Sequence, residues 1–183
     1  AATKEELRLV YVGLLQRERG LFALLHLLAQ HPSWHLDLAG FGSDQQQILA
    51  QAESLPNLHW HGRVPYQRAL ALTAAADVVL ALYDPALPNH RYASPNKVFE
   101  AMMLAKPVVV AQDTNVDRVV EQYHCGLVVP YGQLEALEQV MTCLEDNPAL
   151  RRELGANGRH AYERCYSWSI MRGRLLRLYA QMR

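Results

Sequence analysis

Cysteine is scarce and scattered: the 183-residue chain has three, Cys125, Cys143 and Cys165. An odd number, with no CxxC pair and no close Cys/His spacing, speaks against a disulfide framework or a structural zinc site. It implies reduced thiols and a cytoplasmic setting. Surplus charge is missing too. Lys and Arg total 18, as do Asp and Glu, so the chain lacks the broad basic field of a protein that coats nucleic acid. Any anion it binds has to be met by locally placed donors. No apolar run reaches the roughly 18 residues of a membrane span, and no signal-peptide pattern precedes the first strand. The GxGxxG spacing of dinucleotide enzymes and the GK[ST] ending of a phosphate-binding loop are both absent, which argues against a dehydrogenase or an NTPase. There is no internal repeat and no low-complexity linker.

What is present is half hydrophobic by composition, enough for one domain with a core; two complete domains would be cramped. The chain lacks a starting Met and opens almost directly into a buried-strand pattern, so residues 1–183 read as one domain of a longer protein. Apolar, β-branched runs predict strands at Leu7–Gly13, Trp34–Gly40, Leu58–Val64, Val78–Asp84, Pro107–Gln112 and Gly126–Pro130. Helical spacing predicts helices at Gly20–Gln30, Asp44–Ser54, Tyr66–Ala76, Pro95–Ala105 and Val116–Tyr123, then two or three closing helices. Six strands alternating with helices, several uniformly apolar, define a doubly wound, Rossmann-like parallel sheet with helices on both faces. Such sheets bind ligands outside the carboxyl ends of their strands, which singles out the loops after Gly13, Gly40, Val64, Asp84 and Gln112.

The first of these loops, Gly13–Gly20 (GLLQRERG), presents Arg17 and Arg19 ahead of a helix. A guanidinium there either clamps a phosphate beside the positive end of the helix dipole or stands in solvent. In the second, Gly40 and Gly42 permit close approach of a ligand or simply form a tight turn, with Ser43 or Asp44 capping the next helix. The third, His61–Pro65, offers backbone donors and acceptors around Arg63 and Val64 that suit a nucleobase edge, or an ordinary turn. The fourth ends in SPNKVFEAMMLAKPVVV. Ser94 followed by Pro95 is a helix-start signature, a side-chain cap and then a ring preset for the first helical position. The free N–H groups of Asn96 and Lys97 then point at an anion site, and Lys97 adds a full charge. Glu100, one turn on, either accepts two hydrogen bonds from a ribose diol or pairs with Lys97 three positions back.

Taken together, YVGLLQRERGLFALL, LAGFG, HGRV, SPNKVFEAMMLAKPVVV and RHAYERCYSW resemble the C-terminal, donor-binding domain of retaining glycosyltransferases with the GT-B fold. The likeness spans nearly the whole chain and is closest to the group 1 enzymes of bacterial surface-polysaccharide assembly. The resemblance implies that Arg19 and Lys97 bind a diphosphate, that Asn96 and neighbouring amides face the phosphates, and that Gly13, Gly42 and Ser94 belong to the same substrate-binding site. It implies further that Glu100 holds the ribose hydroxyls, that Arg63 and Val64 lie beside the base, and that transfer retains anomeric configuration. Two positions depart from the family pattern: Tyr92 replaces a glutamate eight positions before Glu100, and Leu14 replaces a basic residue after the first-loop glycine. Pro95 also removes one amide from the phosphate cradle.

The expected function is therefore hexosyl transfer from a nucleoside-diphosphate sugar in polysaccharide or glycolipid assembly. No metal is needed if Arg19, Lys97 and the amides near Asn96 neutralise the leaving diphosphate. The acceptor-binding domain, absent from this chain, is supplied in cis or in trans. A nucleotide-sugar epimerase or phosphorylase of the same architecture, and a non-catalytic binding subunit, are the rival readings. His59 and His61 share a strand face, a conceivable metal pair without a third ligand. Arg172, Arg174, Arg177 and Arg183 on an acid-free closing helix from Ser169 suit either peripheral contact with an anionic membrane or packing of its apolar face on protein.

Overall fold

A computed structural model of the chain describes residues 6–182. Six strands, β1 (Leu7–Leu14), β2 (Trp34–Phe41), β3 (Leu58–Trp60), β4 (Val78–Ala81), β5 (Val108–Ala111) and β6 (Gly126–Val129), form one sheet. Its order is β3-β2-β1-β4-β5-β6 and every neighbouring pair is parallel. The doubly wound reading therefore holds, and the strand order reverses between β1 and β4, where such sheets open a crevice.

Side-chain alternation builds a core on each face. Leu7, Leu9 and Tyr11 of β1 pack with Trp34, Leu36 and Leu38 of β2 under α1 (Leu21–Gln30), α2 (Gln45–Ala52) and α7 (Leu134–Asp146). Val10, Ala39, Val79, Ala81, Val108 and Val110 face the other way. They pack beneath α3 (Tyr66–Ala75), α5 (Asn96–Met103), α6 (Val116–Tyr123) and α8 (Pro148–Ala161). β4 and β5 are buried on both faces, which is why they read as unbroken apolar runs rather than alternating ones.

Several boundaries differ from expectation. β3 stops at Trp60, because Gly62 takes a left-handed φ of 69° and turns the chain before Pro65. β4 stops at Ala81, although Leu82 and Tyr83 stay buried beyond it. The Pro-rich loop that follows contains a short helix, α4 (Pro88–Arg91), with proline at its first position. At α5, Ser94 is not the cap. Pro95, extended at φ −72° and ψ 130°, is itself the cap residue and makes no side-chain bond. Its missing N–H thus lies outside the helix and leaves the amides of Asn96 and Lys97 in place. Asp44 at the start of α2 also makes no capping bond; its Oδ2 accepts the Arg17 backbone N–H at 3.0 Å and the Ser43 hydroxyl at 3.1 Å instead.

The closing helix α9 (Trp168–Gln181) buries none of its residues. Trp168, Met171, Leu175, Leu178, Tyr179 and Met182 are all exposed and recur at helical spacing as one apolar stripe. This domain leaves most of that stripe uncovered, although Trp168 and Met171 line a hollow beside α5. Arg183 lies outside the described residues. Among the described residues no helix is long and apolar enough to cross a membrane.

Candidate active site

Backbone bonds tie the loops at the carboxyl edge of the sheet together. The Asp84 N–H donates to the carbonyl of Glu18 at 2.9 Å, joining the loop after β4 to the 3-10 turn Arg17–Arg19 after β1. The Leu15 N–H donates to Phe41, and the Asp44 N–H to Leu15, joining the first loop to the second. Glycine makes this second junction possible. A Cβ at Gly42 would lie 2.2 Å from the Leu15 carbonyl oxygen, and one at Gly40 only 1.8 Å from that of Gly13. Gly42 thus admits a neighbouring stretch of this chain's own backbone.

These ties bring Arg19 and Lys97 to the same crevice, at the end of β1 and β4. The Lys97 ammonium lies 3.8 Å from the centroid of the Tyr11 ring and 5.6 Å from that of Tyr83. The Arg19 guanidinium lies 4.5 Å from the Tyr83 centroid and holds the Gln16 Oε1 through Nε at 3.4 Å and Nη2 at 3.3 Å. Gly13 keeps the space clear: a Cβ there would sit 3.0 Å from the Lys97 Nζ. Neither cation has an acidic partner within ion-pair distance among the described residues.

That environment sets the protonation. Lys97 is half-buried along its length; burial of its ammonium and then the neighbouring Arg19 charge lower its pKa to about 7, with Glu100 opposing. Burial pushes the Tyr83 phenol up to about 12 against the pull of Arg19. Burial, then Tyr83, raises Tyr11 further. Both rings are therefore neutral floors. His90 of α4, buried and edge-on to Tyr83 at 5.4 Å, has its pKa lowered by burial and then by Arg19.

A second, adjoining hollow of about 580 Å³ runs along α5. Ser94, Asn96 and Glu100 line it with Tyr66, Phe99 and Trp168. Glu100 does not pair with Lys97, the alternative its spacing left open. Its carboxylate faces the Tyr66 phenol, whose pKa is raised by burial and then by Glu100. Arg63 lies over the Phe41 ring, 4.6 Å from its centroid, and Val64 packs into the core beside α3 and α5. Of the expected set, Gly13, Arg19 and Lys97 meet in one crevice, and Ser94, Asn96 and Glu100 meet in the next. Arg63 and Val64 stand apart at the β2–β3 side. Tyr92, in the position of the missing glutamate, is exposed. His59 and His61 stack edge to face at 4.3 Å, with the His61 Nε2 on the Asp37 Oδ1 at 2.6 Å. Among the described residues no group of three metal-ligating side chains forms.

Tyr11, Tyr83 and His90 were not among the residues expected here. Tyr11 reads as core within its strand. Tyr83 was within reach, since it ends the strand beside which the sheet order reverses.

The fold is that of a Rossmann-like GT-B half. Residues 1–161 match the family Glycosyl transferases group 1, and the chain is a member of it. It is 28% identical over 163 residues to the D-rhamnosyltransferase WbpZ of Pseudomonas aeruginosa, covering 86% of this chain and 41% of that protein. Its fold superposes on sucrose-phosphate synthase from Thermosynechococcus elongatus with a TM-score of 0.84 at 24% identity, covering 98% of this chain and 46% of the other. It superposes on Anabaena HepE, solved in complex with UDP-glucose, with a TM-score of 0.81 at 17% identity, covering 96% and 49%. The chain thus spans less than half the length of each of these proteins.

Proposed function

We propose that this domain binds the nucleoside-diphosphate portion of a sugar donor, for retaining hexosyl transfer in polysaccharide or glycolipid assembly. The observation that carries the reading is the pair Arg19 and Lys97: two cations on one aromatic floor at the sheet's reversal point, with no acid in ion-pair contact among the described residues. A diphosphate supplies the missing negative charge. As the glycosidic bond breaks, charge builds on the phosphate oxygen that leaves with the nucleotide. Fixed donors stabilise that charge without reorganising, here Lys97 Nζ, the Arg19 fork and the first free amides of α5. Glu100, free of Lys97, accepts the ribose hydroxyls. These donors neutralise the phosphates without a metal ion.

The protein relatives support the same reading by what they are called, a rhamnosyltransferase and a protein crystallised with UDP-glucose. The acceptor site belongs to a further domain, in the same polypeptide or a partner chain. The uncovered apolar stripe of α9 is the surface it covers. The isolated domain accordingly binds nucleotide and turns over little or nothing. Calorimetric titration with UDP, GDP, ADP and CDP tests the proposal. Saturable binding of at least one, competed by inorganic pyrophosphate, is expected; binding of none overturns it.

A further inference from the structure

Two cations side by side in a buried crevice repel one another, and proteins ordinarily hold such groups with carboxylates. Here, among the described residues, no carboxylate is in ion-pair contact with either cation, and aromatic faces lie against them instead. Tyr83 is the shared element. Its ring lies under the Arg19 guanidinium at 4.5 Å and also flanks the Lys97 ammonium at 5.6 Å, while Tyr11 closes the other side of Lys97 at 3.8 Å. Both rings are themselves pinned. The Tyr11 hydroxyl donates to the Leu14 carbonyl at 2.6 Å. Tyr83 is backed edge-on by the buried His90, ring centroids 5.4 Å apart.

The geometry points to Tyr83 as a positioning residue for diphosphate capture: its ring face, backed by His90, holds Arg19 and Lys97 at a fixed spacing while leaving their charges unspent. A carboxylate in the same place would hold them equally well but would compete with the ligand for both. An aromatic face attracts a cation through its quadrupole without becoming an acceptor for it, and the attraction strengthens when water is excluded. The residues facing the two cations are Tyr11 from β1, Tyr83 after β4, Gln16 from the first loop and Glu100 from α5. His90 lies edge-on to Tyr83, with Glu18 and Asp84 near His90. Among the described residues Glu100 is the one acid that acts on Lys97, and it is not in ion-pair contact.

The inference rests on the nucleoside-diphosphate reading above, and pyrophosphate titration separates the two. If the unmodified domain binds neither pyrophosphate nor any nucleoside diphosphate, the reading itself fails. If it binds, Tyr83→Phe keeps the ring face and is expected to stay within about twofold of it. Tyr83→Leu is expected to weaken pyrophosphate roughly tenfold. Rescue by phenylalanine is an outcome that a hydroxyl contacting the phosphate would not produce, so equal losses in both variants overturn the role of the face. Tyr83 is buried, so Arg19→Lys supplies an arm that leaves the core untouched. Lysine keeps the charge but cannot lie flat on the ring, and a loss of about fivefold or more is expected. Affinity within twofold after Arg19→Lys shows that charge alone suffices and overturns the proposal.

Discussion

Two hollows flank the same 3-10 turn, and neighbouring arginines of that turn point into different ones. Arg19 enters the crevice of Lys97, Tyr11 and Tyr83. Arg17 lines a larger hollow of about 710 Å³ on the α1 side, with Phe22, Ala50, Leu82, Val129 and Leu137. There the guanidinium lies 5.3 Å from the Phe22 centroid and bonds the Gln47 Oε1 at 3.3 Å. The hollow of Arg17 has the volume of a ligand site, whereas the crevice brings two cations together. What distinguishes the crevice is that Arg19 and Lys97 share one aromatic floor, while Arg17 stands as a single cation beside Phe22 and Gln47.

That contrast can be broken most directly at Lys97. Lys97→Met is expected to weaken pyrophosphate and nucleoside diphosphate on the order of a hundredfold, since it deletes one partner of a buried charge pair with the ligand. Calorimetry on the folded variant reads this, and an unchanged Kd would move the anion elsewhere. Proton linkage gives the next largest effect. Free Lys97 titrates near 7 and a bound diphosphate raises its pKa, so binding takes up a proton at alkaline pH. Between about pH 7.5 and 9 affinity should fall close to tenfold per pH unit, and the slope should vanish in Lys97→Met. The same shift acts on folding in the free protein. Lys97 binds its proton below about 7 in the folded chain and below the ordinary 10.5 in the unfolded one, so its contribution to stability rises with pH between those values.

A smaller effect is expected along α5. Glu100→Ala should weaken a nucleoside diphosphate roughly tenfold while leaving pyrophosphate within twofold, from loss of charge-assisted bonds to the ribose. Equal losses on the two ligands would remove Glu100 from that role. The smallest effect belongs to the larger hollow: Arg17→Met should change pyrophosphate affinity by less than about twofold, because its exposed side chain faces away from Lys97. A loss comparable to that of Lys97→Met would erase the distinction between the two hollows.

Much of this architecture was legible in the sequence. The bounds of α6 fall where its periodicity places them, at Val116–Tyr123, and the uniformly apolar VVLA and VVVA segments are the strands buried on both faces. The meeting of Arg19 with Lys97 followed from strand order, because both flank the strands where the sheet reverses. Less legible were features decided by three-dimensional neighbours. Ser94 has the right chemistry for a cap, yet the extended backbone of Pro95 begins the helix one residue later. Glycines 40 and 42 resemble ligand-loop glycines, but this chain's own backbone fills the space beside them. Spacing alone could not decide whether Glu100 pairs with Lys97, since i,i+3 neighbours can turn toward different hollows. The aromatic floor was invisible for a related reason: a tyrosine in an apolar strand looks the same whether its ring meets leucine or an ammonium.

The bare stripe on α9 has a practical consequence for anyone handling this domain alone. Its arginines should repel other copies at low ionic strength, but salt screens that repulsion over a Debye length of about 10 Å at 0.1 M while leaving apolar attraction intact. Colloidal behaviour should therefore worsen with ionic strength, while the crevice of Arg19 and Lys97 lies on other elements and only Trp168 and Met171 of α9 reach the hollow beside α5. Light scattering and pyrophosphate titration would then report on separate properties of the same molecule.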